Sequence, residues 1–129
     1  MLACDIQIRV RYAETDRMGF LHHAQYFVYF EQGRVELLRS QGLSYKEIED
    51  QGYFLVVVKL ECRYRKPAHY DDVLTLRTVL VKTSQVKVEH RYELYRGEEM
   101  IAEGYSTLAC VDRGGQIQRL PEVLQRDAE

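Results

Sequence analysis

The chemistry-bearing residues of this chain crowd into one short passage. Asp16, His22 and His23 lie between Tyr12 and Tyr26, with Gly19 in the middle. An aspartate is ionised at neutral pH, so Asp16 offers a carboxylate that can attack an electrophilic carbonyl or take a proton from water. Imidazoles can orient or relay a proton, and tyrosine hydroxyls can hydrogen-bond a carboxylate. The ordinary use of such an aspartate is to shape a turn or cap a helix. A loop that only connects has little use for an acid and two histidines beside a helix start. Adjacent histidines can suggest a metal. Their side chains diverge, however, and Tyr26 and Phe27 stand at the i+4 positions where a further ligand is needed, so no metal site is expected.

The elements around this passage follow from periodicity. Residues 5–12 alternate, with Ile6, Ile8, Val10 and Tyr12 on one face, and predict a half-buried strand. Residues 13–23 form a loop. Residues 24–41 read as the one long helix, apolar nearly all round in its first half and therefore wrapped by protein. Glu31 in that helix needs a partner, which Arg34 supplies at i+3. Gly42 ends the helix, and Ser44 with Glu47 opens a short second one. Strands are predicted at 54–65, 73–82, 86–95 and 99–112, with a bulge near Arg77 where the apolar phase slips. Pro121 is expected to open a short terminal helix. The order is one strand, one buried helix, then four strands in hairpin sequence, an α+β arrangement in a single domain over residues 1–129. The run Phe54 to Val58 is apolar on both faces, so a partner subunit is expected over it, giving a homodimer or a tetramer of two dimers.

Composition excludes several classes. Of 129 residues, 46% are hydrophobic and 29% charged, which is a globular balance, and the formal net charge of -2 gives no footing for nucleic acid. The longest apolar run is far short of a membrane span, and the N-terminus lacks the charged start and apolar core of a secretory signal, so no membrane insertion and a cytoplasmic location are expected. Cys4, Cys62 and Cys110 are odd in number and hold no CxxC pair, as free thiols do.

The passage Tyr-x-x-Thr-Asp-x-x-Gly-x-x-x-His-x-x-Tyr from Tyr12 to Tyr26, with Tyr29-Phe30-Glu31-x-x-Arg34 behind it, resembles the hotdog-fold acyl-CoA thioesterases. More narrowly, it is similar to the hydroxybenzoyl-CoA thioesterase family and its bacterial branch associated with the Tol–Pal system. Tyr64-x-x-Pro67-Ala68-x-x-Asp71-Asp72 resembles that family's strand-to-loop crossing. Glu14 and Gly33 depart from it, standing where aspartate and alanine are frequent. The resemblance implies a five-stranded antiparallel sheet around one long helix and the hydrolysis of an acyl-CoA to free acid and coenzyme A, with no cofactor beyond that substrate. It implies Asp16 as the catalytic carboxylate and a backbone N–H at His23 directed at the thioester oxygen. Tyr12 would bond the carboxylate or line the acyl pocket. Arg63, Arg65 and Lys66, with the turn Thr83–Ser84 flanked by Lys82 and Lys87, would meet the nucleotide end of coenzyme A. A hotdog dehydratase or hydratase and a non-catalytic acyl-CoA binding module are the alternatives.

Overall fold

The computed structural model describes residues 2–125. Strand β1 (Ala3–Arg9) leads through a 3-10 turn at Tyr12–Glu14 to the long helix α1 (Gln25–Arg39) and the short helix α2 (Tyr45–Asp50). Four strands follow: β2 (Phe54–Tyr64), β3 (Val73–Thr83), β4 (Lys87–Arg96) and β5 (Glu99–Val111). All pair antiparallel, in the order β1-β3-β4-β5-β2. The expected α+β architecture is present: one five-stranded sheet with one long helix against its inner face.

The alternating residues set that inner face. Ile6 sits opposite Leu76, Leu76 opposite Leu94, and Leu94 opposite Ala102, so four strands contribute to one apolar layer. Tyr26, Tyr29, Phe30 and Leu37 of α1 are buried against the sheet and its flanks. Each fully buried Leu or Ile contributes about 1.5–3 kcal/mol relative to exposure. Two glycines set how closely helix and sheet approach. A Cβ at Gly104 of β5 would lie 2.3 Å from the Phe30 ring, which itself stacks on Tyr92 at 4.3 Å between centroids. A Cβ at Gly33 of α1 would lie 2.2 Å from Thr78 Oγ1 and 2.8 Å from Leu76 Cδ2. The glycine that weakens the helix in sequence terms is thus the point where the helix seats on β3.

Several expectations are corrected. β1 ends at Arg9, and Tyr12 belongs to the 3-10 turn, 77% exposed, with its ring edge-on to Tyr70 rather than in the core. The irregularity in β3 falls between Leu80 and Lys82, not near Arg77. The apolar phase slips in the sequence because Thr78, a polar residue, takes an inward position beneath Gly33. Glu31 and Arg34 form no ion pair; Glu31 is exposed, and Arg34 is buried with one amino group on the Tyr92 hydroxyl at 3.1 Å.

β2 is an edge strand, and its pairing with β5 shifts register between Val57 and Lys59. Val56, Val57 and Val58 lie bare there, Val58 at 54% exposure, and Val28 of α1 is also exposed. The single chain leaves this apolar edge uncovered.

The seating of α1 makes a test. Gly33→Ala gains about 1 kcal/mol in helix propensity but overpacks a tight contact, at a cost of about 1–3 kcal/mol. Urea unfolding is expected to show a net loss, partly recovered when Thr78→Ala is added. A Gly33→Ala chain at least as stable as the parent contradicts the close approach.

Candidate active site

Asp16 builds its own turn. Its Oδ1 accepts from the Met18 amide at 2.9 Å and the Phe20 amide at 3.1 Å. Its backbone N–H donates to Phe20 O at 2.7 Å, and Gly19, at φ +83°, donates back to Asp16 O at 3.0 Å. Glycine suits that left-handed position because it lacks a Cβ. With Oδ1 occupied by amides, Oδ2 has no hydrogen-bond donor among the described residues. The turn is laid against the loop after β2: Leu21 N–H donates to Ala68 O at 2.8 Å, and Phe20 pairs with His69.

Glu14 holds this loop to the helix. It is 4% exposed. Its Oε1 accepts from the Arg11 amide and from the Tyr29 hydroxyl, both at 2.8 Å, and Oε2 faces Arg11 Nε at 3.3 Å. Its carbonyl accepts from the His22 amide at 2.9 Å. Burial pushes the Glu14 carboxyl upward, but the Arg11 amide, the Tyr29 hydroxyl and the Arg11 guanidinium outweigh it and hold the group below its ordinary value. Burial and Glu14 together raise the Tyr29 phenol, so it stays a donor.

The start of α1 is arranged by side chains rather than by a Ser or Asp cap. His22 Nδ1 accepts from the Ala24 amide at 3.1 Å, and Gln25 N–H donates to His22 O at 2.9 Å. The Tyr64 hydroxyl donates to His23 O at 2.8 Å. The peptide between His23 and Ala24 is therefore held at both ends. The His23 amide donates to no group among the described residues, and it stands where the helix dipole is positive. The two histidine rings stack at 4.1 Å.

Asp16, His23, Tyr26, Tyr64, Arg65 and Lys66 line one surface cleft of about 370 Å³. Tyr26 forms part of its wall; burial raises its phenol, opposed by a hydrogen bond from the Ala68 backbone. Arg65 is paired with Glu103 at 2.6 Å and Lys66 with Glu99 at 2.7 Å, both at the surface. Such pairs are worth little and open readily to a competing anion. A free carboxylate oxygen, an undirected amide at a helix start and two cations at the rim suit the attack of a carboxylate or its water on a carbonyl, with the developing oxyanion held by the amide.

The remaining expected site residues lie elsewhere. Tyr12 is outside the cleft. Arg63 is on the outer face of the sheet with Glu61, Arg91 and Tyr105. Ser84 Oγ accepts from Val86 and Lys87 amides in the β3–β4 turn, and Thr83 borders a cavity under the far half of α1. Glu14 and Tyr64 contribute to the site although the sequence assigns neither a role in it, and His22, the lesser of the two histidines in the sequence, fixes the Ala24 amide. An acid embedded between two apolar stretches was the available signal for Glu14. Tyr64 is 41 residues from its partner His23 and carries no local signal.

Among the described residues no group of three or more His, Cys, Asp or Glu is placed to hold a metal ion. No helix among them is long and apolar enough to cross a membrane.

Residues 10–127 match the family model described as the Thioesterase-like superfamily. The acyl-CoA thioesterase YbgC of Haemophilus influenzae is 32% identical over 108 residues, which is 83% of this chain and 79% of that protein. The crystal structure of the hypothetical protein TT1821 from Thermus thermophilus is 39% identical with a TM-score of 0.88, covering 92% of each chain. That of DHNA-CoA thioesterase from Staphylococcus aureus is 30% identical with a TM-score of 0.90, covering 93% of this chain and 82% of the other.

Glu14 supplies a test of the scaffold. Its depressed pKa means that its contribution to stability is whole above the ordinary carboxylate range and is lost as pH falls through the folded value. Glu14→Gln is expected to cost about 1–3 kcal/mol at neutral pH, with the difference from the parent closing in acid. Equal stabilities at pH 7, or a difference that widens in acid, contradicts the role.

Proposed function

The chain belongs to the thioesterase-like superfamily, and on that premise we propose that it hydrolyses an acyl-CoA thioester to free acid and coenzyme A. The observation that carries this reading is the free Oδ2 of Asp16 in the same cleft as the start of α1. Asp16 either attacks the thioester carbonyl carbon, displacing the thiolate to leave an acyl anhydride that water then hydrolyses to free acid and the restored carboxylate, or deprotonates the water that attacks the carbonyl directly. In both cases negative charge develops on the carbonyl oxygen, and the His23 amide at the positive end of α1 is the donor assigned to it. The leaving group is a thiolate. A thiol of ordinary acidity has a pKa around 8.5, so it departs without a strong general acid. Coenzyme A enters as part of the substrate, and the reaction proposed draws on no other cofactor.

Within the superfamily, the motif from Tyr12 to Tyr26 favours the hydroxybenzoyl-CoA thioesterase family and its Tol–Pal-associated bacterial branch. The relationship to the acyl-CoA thioesterase YbgC supports acyl-CoA as the substrate class. Arg65 and Lys66 are assigned to the coenzyme phosphates, each exchanging its glutamate for a phosphate oxygen. Location in the cytoplasm accords with the free cysteines.

The assay is thiol release from a panel of acyl-CoAs. Release with formation of free acid is expected. A hydratase would change the acyl chain without releasing thiol, and a binding module would do neither. In the same assay Arg65→Ala with Lys66→Ala is expected to raise KM for acyl-CoA more than for the acyl-pantetheine, while Arg63→Ala does neither. Equal effects on both substrates remove Arg65 and Lys66 from the coenzyme site.

The active unit is proposed to be a homodimer, or a tetramer of two dimers, with the second copy covering Val56 to Val58 and the open edge of β2. Sedimentation at micromolar concentration is expected to give a dimer or larger, and Val57→Lys to weaken it. A stable monomer contradicts this assembly.

A further inference from the structure

Arg34 is an unusual residue for the core. It is 8% exposed. Its amino group donates to the Tyr92 hydroxyl at 3.1 Å, and Tyr92 continues to Ser106 Oγ at 2.5 Å. These partners are neutral hydroxyls. No carboxylate oxygen among the described residues lies within 4.0 Å of the guanidinium. Glu31 and Glu49 face it only across a separate depression. A guanidinium carries five N–H donors in a fixed fork, and a buried charge is costly unless it is paired.

The same side chain borders an inner cavity of about 40 Å³ beneath the C-terminal half of α1, walled by Leu37, Leu55, Leu80, Val88 and His90. That volume holds one small anion, or two or three waters. His90 is 5% exposed and its Nδ1 has no hydrogen-bond partner. Burial, and then the nearby Arg34, push the His90 pKa down to about 3, so the ring is neutral at physiological pH and keeps one N–H to donate. A fixed cation, a neutral N–H donor and a tyrosine thus meet at a void that Gln41 and Thr83 also border and whose remaining walls are aliphatic. Such a void disfavours a dianion, which would lose far more hydration than one guanidinium returns.

We propose that the cavity between Arg34, Tyr45 and His90 is a binding site for one small monovalent anion, of the size of chloride or formate, separate from the catalytic cleft. The anion accepts charge-assisted hydrogen bonds from Arg34 and a neutral one from His90. It completes the buried polar chain Arg34–Tyr92–Ser106, and so stiffens the half of α1 farthest from Asp16. The site rests on Arg34 and its surroundings alone, independently of the reaction assigned to Asp16.

The test uses the full wild-type chain and two probes, sodium formate and sodium chloride, with ionic strength held constant by sodium sulfate. Formate is expected to shift the His90 side-chain NMR resonances saturably in the millimolar range and to raise the melting temperature in step, with chloride competing. Asp16→Asn keeps this response, which separates it from a carboxylate binding in the cleft. Arg34→Met loses it. Should Arg34→Met fail to fold, His90→Phe, which fills the cavity and leaves Arg34 in place, loses it instead. His90 resonances that do not move, a shift that never saturates, or a response that survives in the folded cavity variant overturns the proposal and leaves the cavity to water.

Discussion

One buried carboxylate ties the reactive loop to the helix. Glu14 accepts from the chain entering the loop, through the Arg11 amide, and from the second turn of α1, through the Tyr29 hydroxyl. Its own carbonyl accepts from His22 at the exit. The buried Tyr29 hydroxyl would otherwise be left unpaired in the core, at about 1–3 kcal/mol. The 16–20 turn therefore cannot drift from the helix start without breaking the hydrogen bonds that Glu14 makes on both sides of it. The relation between Asp16 and the His23 amide depends on that anchoring, and so does the chemistry proposed for them.

The helix in turn must be held to the sheet. Gly33 and Gly104 allow α1 to come down on β3 and Phe30 to cross β5. That close approach leaves the β2 edge with little of α1 above it, since α1 meets chiefly β1, β3 and β4. Val57, which pairs with Leu108 on the helix side of the sheet, is bare for this reason. Tight packing on one side of the sheet and an open apolar edge on the other arise from a single helix being too narrow to cover five strands.

Much of this was legible in the residue pattern. Alternation in β1, β2, β4 and β5 and the long apolar helix give the element order and class directly, and the spacing from Tyr12 to Tyr26 marks the reactive passage. What the pattern missed has local causes. Tyr12 continues the alternation of β1, yet the chain has already turned at Arg11, so the residue points outward. Thr78 reads as an outward polar residue, but it faces Gly33 and displaces the apparent bulge. Arg34 looks like the i+3 partner of Glu31, yet it turns inward to Tyr92, a residue 58 positions away. Tyr64 reaches His23 across the fold in the same manner. Contacts of that span follow from tertiary packing, which periodicity does not encode. The basic residues divide likewise: Arg65 and Lys66 reach the cleft, whereas Arg63 lies on the outer face of the sheet.

The central claim is that the Asp16 carboxylate reacts and is not only a turn-former. Asp16→Asn separates the two roles, because asparagine keeps a carbonyl oxygen to accept from the Met18 and Phe20 amides while losing the charge. Steady-state thiol release by the folded variant, on the acyl-CoA that the parent turns over fastest, is the measurement. The account predicts a fall in kcat of at least ~10²-fold with KM little changed. A folded Asp16→Asn enzyme with kcat within about twofold of the parent would contradict it, leaving Asp16 as a residue that shapes the loop.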